Sequence, residues 1–156
     1  MKDEFKTMGG IFYIKAVNPD GSVIERQMHN KMTTASLAAI SGLVGNTGSQ
    51  NAFTYLEVGT SSTAVSTAHT ALQAAITDTG LARASATITR QTTTSTNDTL
   101  QLVYSWTATG SKTIEEVGVF NASSAGVMLC RALTGSITVQ NATILTITYK
   151  WVAVVN

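Results

Sequence analysis

The alternation of apolar and polar residues is clearest in KTIEEVGVFNASSAGVMLCRALTG, residues 112–135. Residues 113–120 and 127–133 are β-rich runs, and the small or polar residues 121–126 between them predict a hairpin with a wide turn. Setting Phe120 opposite Val127 puts Gly118 opposite Leu129, Glu116 opposite Arg131 and Ile114 opposite Leu133. Strand side chains alternate with period two, so all of these share one face. That face is apolar except for one carboxylate and one guanidinium. A charge on a buried face is costly unless paired. The pattern therefore predicts a structural ion pair, Glu116 with Arg131, at the centre of a β fold.

The same alternation runs through the rest of the chain. Runs 11–17 and 23–28 flank Asn18-Pro19-Asp20-Gly21, a type I turn signature, and predict a hairpin with Lys15 near Glu25. Thr33 or Thr34 can cap a helix over 33–44, with Leu37, Ile40 and Leu43/Val44 on its apolar face. Residues 53–59 alternate as a strand, 60–67 form a polar loop, and 69–76 have the spacing of two helical turns. Runs 84–92 and 99–107 read as strands, and so do 136–140 and 143–155. Leu100, Leu102, Tyr104 and Trp106 share one strand face, as do Leu145, Ile147, Tyr149 and Trp151. Seven or eight strands against one or two short helices predict a mainly β fold. It is an antiparallel sandwich or barrel, with an N-terminal arm (1–10) and hairpin ahead of the body of a single domain (11–156).

Composition changes the picture in one respect. The chain of 156 residues carries only 12% Asp, Glu, Lys and Arg, against roughly a quarter in average domains. Nine of these nineteen charges fall within residues 1–31, so the body is nearly neutral. A neutral body lacks the clustered basic surface that nucleic-acid binding needs. Sparse charge also favours association, and a surface of Thr, Ser, Ala and Gly suits a protein covered by neighbours. No apolar run approaches the ~18 residues of a membrane span, and no signal peptide pattern is present. The single cysteine, Cys130, forms no internal disulfide.

Candidate chemistry is sparse. His29 and His69 have no metal-ligand spacing around them, and His69 reads as an exposed loop or first-turn residue. Cys130 alternates onto the face opposite Arg131, beside Met128 and Ala132, as a small buried hydrophobe. Glu115 and Glu116 are adjacent on a strand and point to opposite faces, so they cannot act on one atom. The glycine runs near residue 45 lack the Lys of a phosphate loop. No catalytic constellation, cofactor site or metal site is expected.

The order of short motifs resembles a family of small virion proteins of tailed bacteriophages, across about residues 10–155. The N-terminal hairpin ending in His29-Asn30 and the short helix after it resemble the family's opening segment. Tyr55-Leu-Glu-Val-Gly-Thr60 is similar to its "I-x-V-G-T-G" strand. The polar run 61–70 before Ala71-Leu72 is similar to its next segment, with Arg83 where an Arg usually follows. Ile114-Glu-Glu-Val-Gly-Val-Phe120 resembles "I-x-E-x-G-L-F", and Leu129-Cys-Arg131 resembles "L-x-x-R" with one residue fewer between Leu and Arg. This chain departs from the pattern at Ser61 for Gly, at His69 for Asp, and in having no Pro in the 60–70 loop.

The resemblance implies a capsid decoration (cement) protein, not an enzyme, on the outside of the virion. Its partners would be itself, as a homotrimer, and the major capsid protein. A tail, baseplate or fibre component is the nearest alternative. A carbohydrate-binding sandwich is a more distant one, and would need exposed aromatic rings or a polar cluster on one face. The charged N-terminal segment is unlike the neutral body. Lys2, Asp3, Glu4, Phe5 and Lys6, with the turn residues Asn18, Pro19, Asp20 and Gly21, are therefore the candidate assembly contacts.

Overall fold

The turn Asn18-Pro19-Asp20-Gly21 sets the first register of the fold. In the computed structural model, which describes residues 9–153, the Gly21 amide donates to the Asn18 carbonyl at 2.9 Å. Gly21 has a φ of +84°, in the left-handed region that penalises a Cβ. The turn joins β1 (Gly10–Val17) to β2 (Val23–His29) and places Lys15 opposite Glu25, with their charged ends 3.4 Å apart.

In chain order there follow β3 (Lys31–Met32), α1 (Thr34–Gly45), β4 (Tyr55–Gly59), β5 (Ala84–Ser85) and β6 (Thr87–Gln91). The chain continues through β7 (Thr99–Thr107), β8 (Lys112–Phe120), β9 (Met128–Val139) and β10 (Ile144–Val152). Two five-stranded antiparallel sheets result, in the orders β2-β1-β10-β7-β6 and β3-β9-β8-β4-β5. Neither closes on itself, so the fold is a mainly β sandwich with one helix among the described residues. That helix is too short to cross a membrane, and no described helix is long and apolar enough to do so.

The core lies between the sheets. Leu102, Trp106, Leu145, Ile147 and Tyr149 are buried in it, and Leu100, Tyr104 and Trp151 pack half-buried against it. These residues occupy the face that alternation assigns them. Leu56, Val58, Ile114, Val117, Val119, Cys130 and Ala132 meet them from the second sheet.

Four elements differ from the sequence expectation. The run 84–92 is not one strand. Its first part pairs with β4 and its second with β7, and the chain crosses between sheets at the buried Ala86. The runs 127–133 and 136–140 join into the single strand β9, bent where Gly135 and Ser136 both have positive φ. Residues 69–76 form turns rather than a helix. Their amides are drawn outward, Ile76 N–H to the Val58 carbonyl and those of Gln73 and Ala74 to the Glu116 carboxylate. The helix α1 buries a different face from the one predicted.

That last difference has a local cause. The Thr33 side chain caps the helix by accepting from the Ser36 amide. It also donates to the Met128 carbonyl, while the Thr33 amide donates to the Leu129 carbonyl. These bonds to β9 fix the rotation of the first turn. Small residues, Ser36 and Ala39, then face the sheet and are buried. Leu37, Leu43 and Val44 are left exposed, Val44 to 85%.

Ala39→Leu should overpack that contact and destabilise the protein by about 1–3 kcal/mol. Leu37→Ala should stay within about 0.5 kcal/mol. Urea unfolding of the two variants checks which face of α1 is buried.

Candidate functional site

The second sheet has an outer face that faces away from the core, and its register decides what gathers there. Tyr55, Glu57 and Gly59 of β4 lie beside Phe120, Gly118 and Glu116 of β8. Across β8, Gly118 and Glu116 lie beside Arg131 and Leu133 of β9. This face would ordinarily meet water, yet Glu116 and Arg131 are completely buried and Glu57 nearly so. The cover is the chain that follows β4, from Thr60 to Arg83.

Glu116 and Arg131 form the predicted pair, with Arg131 Nε donating to Glu116 Oε2 at 2.5 Å. Their register differs from the expectation. Glu116 stands opposite Leu133, Arg131 opposite Gly118, and Phe120 opposite Met128. The ladder is irregular between Ile114 and Glu116 and again between Val119 and Phe120. At Gly118 and Glu116 the slip is two residues, which keeps Glu116 and Arg131 on one face, and long side chains span a diagonal pair. Beyond the two irregularities Ile114, opposite Ile137, and Leu129 pack into the core instead of onto the face expected of them. The second irregularity also moves Met128 away from Cys130, to pack with Leu72 and Phe120 under the covering segment.

The pair fastens that segment. Glu116 Oε1 accepts from the Ala74 amide at 2.7 Å, and Oε2 accepts from the Gln73 amide at 3.0 Å. Arg131 Nη1 donates to the Thr63 carbonyl at 2.9 Å and lies 3.4 Å from His69 Nδ1. Glycine makes room for these contacts. A Cβ at Gly59 would collide with the Glu116 carboxylate and the Ala74 carbonyl, and one at Gly118 would press on Leu72. His69 is thus half-buried, its Nδ1 also accepting from the Ser66 amide, and is not the exposed residue expected.

A second buried pair stands beside the first. Arg83 Nε and Nη2 donate to the two oxygens of Glu57 at 3.1 and 2.9 Å, a bidentate contact. Arg83 Nη1 donates to the Ala122 and Ala125 carbonyls, holding the β8–β9 turn, and the guanidinium lies 3.7 Å from the Phe120 ring centroid. Sequence reasoning did not pair these residues. The available signal was Glu57 itself, a carboxylate alternating with Leu56 and Val58 in a strand whose two faces are both covered.

Chemically this layer is closed. Both carboxylates and both guanidiniums are engaged with each other or with backbone groups. Cys130 lies on the core side, and burial pushes its thiol up to about 12, so it is a poor nucleophile. Among the described residues no group of three His, Cys, Asp or Glu side chains converges. Of the candidate assembly contacts, Asn18, Pro19, Asp20 and Gly21 form an exposed hairpin tip. Asn18 Oδ1 accepts from Thr143, and Asp20 accepts from the Ser22 amide. Lys2, Asp3, Glu4, Phe5 and Lys6 lie outside the described residues.

A further carboxylate organises the loop between β6 and β7. Asp98 accepts from the Ser95, Thr93 and Thr94 amides at 2.7–2.8 Å and from the Thr99 hydroxyl. These bonds, the Ser95 amide foremost, hold its carboxyl well below the usual range.

No protein-family model, no curated protein and no solved structure matches this chain.

Removing one member of a satisfied buried pair should cost about 3–5 kcal/mol. Glu116→Ala is therefore expected to lower the melting temperature clearly. Glu115→Ala, which loses only exposed bonds to Ser136, should cost about 1 kcal/mol or less. Similar losses from both would refute the clasp.

Asp98 gives a pH prediction. Its depressed carboxyl contributes stability above the usual carboxylate pKa of about 4, and this is lost as pH falls towards the folded-state value. Asp98→Asn should melt earlier than the parent at neutral pH, and melts at successively lower pH should show the gap closing. A constant gap would mean that the charge is not what holds the loop.

Proposed function

We propose that this chain is a structural protein of a tailed-bacteriophage virion, a decoration protein that oligomerises on the outer capsid shell and stabilises it. The observation that carries the reading is where the motif residues fall. Gly59, Leu72, Arg83, Glu116, Gly118, Phe120 and Arg131 are spread over some seventy positions of sequence, yet they meet in one layer on the second sheet. Residues that carry a family resemblance and share one structural task support a common fold signature rather than chance matches. The body is neutral, and the charged groups of that layer are consumed in holding loops. Such a protein works by presenting surface.

In this reading copies associate as a homotrimer through the neutral Thr- and Ser-rich body and bridge subunits of the major capsid protein. Burial of surface at these contacts resists expansion of the shell. The exposed tip at Asn18–Gly21 is a candidate contact to a neighbour. A carbohydrate-binding sandwich is less well supported. Trp106 and Tyr149 point into the core, and Tyr13 is the exposed aromatic ring among the described residues.

Copy number in purified particles of the encoding phage tests the proposal. Decoration predicts a number comparable with that of the shell subunit, and particles stripped of the chain should break at lower temperature or ionic strength. A handful of copies at the tail would move the protein to the tail or baseplate. Light scattering on the isolated chain should give a trimer.

A further inference from the structure

At the end of the second sheet where β4 begins and β8 ends, a polar pocket of about 370 Å³ opens beside the buried ionic layer. The loop before β4 lines it with Asn51, Ala52 and Thr54, β4 with Tyr55, and the β8–β9 turn with Asn121 and Ser123. Its volume falls at the lower end of the ~300–1,000 Å³ of small-molecule sites.

Asn121 is the informative residue. Only 7% of it is exposed, and its Oδ1 accepts from the Val127 amide at 2.7 Å. A backbone amide can only donate, so this bond fixes the orientation of the side-chain amide and turns Nδ2 the other way. Nδ2 donates to no described residue. The sealed side-chain atoms without a partner are Tyr149 Oη and Trp151 Nε1. Nδ2 is therefore not sealed in the interior, and it opens onto the pocket that Asn121 lines. A nearly buried amide is thus left with two donors to spend on something outside the chain. The side chains of Asn51, Tyr55 and Ser123 likewise bond to no described residue, in contrast to the engaged ions next to them. Tyr55 packs against Leu72, Phe120 and Met128, which holds its ring in place at the pocket.

The chemistry of the lining selects a class of ligand. No lining side chain is charged. The ions beside the pocket, Arg83 and Glu57, are taken up by each other and by the Ala122 and Ala125 carbonyls. Neither an anion nor a cation finds a counter-charge there. Nor does an extended peptide find a free strand edge, since the Thr54 amide and carbonyl are already paired with Phe120 and Ala86. What remains on offer is a set of amides and hydroxyls around one aromatic ring. Sugar hydroxyls match these groups because they too both donate and accept, and the C–H surface of a pyranose matches the ring.

We infer that this pocket binds a single neutral pyranose unit, held through its hydroxyls by Asn121, Asn51 and Ser123 and through its C–H surface by Tyr55. The inference is independent of the virion reading. It also differs from a sugar-binding sheet face, because the site lies among loops at one end of the second sheet.

The test titrates the isotopically labelled full chain with the methyl glycosides of glucose, galactose, mannose and N-acetylglucosamine, with the Asn121 side-chain amide resonances as reporter. At least one glycoside should shift them saturably. Ala52→Trp, at an exposed position, should fill the pocket and abolish the shift. Asn51→Ala combined with Ser123→Ala, both exposed, removes two hydrogen-bonding side chains and should weaken binding roughly tenfold or more. Melting temperatures equal to the parent's show that these variants are folded. No shift with any of the four glycosides overturns the inference. So does a shift produced instead by inorganic phosphate or by N-acetylasparagine amide, which would mark an anion or a peptide site. Binding lost in Tyr13→Ala but kept in the pocket variants would put the sugar on the outer face of the first sheet, and the inference would fail.

Discussion

The burial of Glu116 and Arg131 beneath the chain from Thr60 to Ala75 is the constraint on which the second sheet depends. Two charges leave water completely. That is tolerable only because each has several partners: the carboxylate takes two backbone amides besides the guanidinium, and the guanidinium takes backbone carbonyls besides the carboxylate. The pair is therefore inseparable from the segment it holds. Without the segment, the charges would face solvent on an ordinary sheet surface. Without the charges, the segment's amides and carbonyls would have nothing to meet on an apolar face. Arg83 and Glu57 form a second pair one strand away, in which the carboxylate holds the guanidinium and the guanidinium alone takes the backbone carbonyls of the β8–β9 turn.

Much of this was legible in sequence, for an identifiable reason. Period-two alternation fixes which face a side chain occupies, and a slip of two residues leaves that face unchanged. Glu116 and Arg131 could therefore be recognised as partners although their assumed register was wrong. The same parity placed Leu102, Trp106, Leu145, Ile147 and Tyr149 in the core, and Pro19 and Gly21 fixed the first hairpin. What escaped depended on contacts distant in sequence. Irregularities in the β8–β9 ladder leave no signature in the residue types. The rotation of α1 is set by Thr33 bonding to the carbonyls of Met128 and Leu129, almost a hundred residues away. Arg83 meets Glu57 only because the intervening chain crosses the sheet.

The site bears on function through what its groups leave unoccupied, which is little. A catalytic or binding centre needs groups whose hydrogen-bonding capacity is free to meet a substrate. Here the buried ionic groups are engaged with one another and with backbone groups, and burial raises the cysteine thiol. The chemistry of this layer is that of positioning. Its products are two loops fixed on one side of the sandwich and an opposite sheet face left open.

The use of ion pairs rather than apolar contacts follows from the composition of the covering segment. Residues 60–75 are dominated by Thr, Ser and Ala, and Leu72 is their one buried large side chain. Such a segment has too little apolar surface to be held by the hydrophobic effect, and non-directional contacts would not fix its path. Its backbone groups are its most specific feature. Carboxylate and guanidinium partners read them directionally, and charge-assisted bonds are stronger than neutral ones. The glycines complete the device. At Gly59 and Gly118 the missing side chains let the segment approach closely enough for Gln73 and Ala74 to reach the carboxylate. A bulkier sheet surface would hold the segment away and leave both charges buried without their partners.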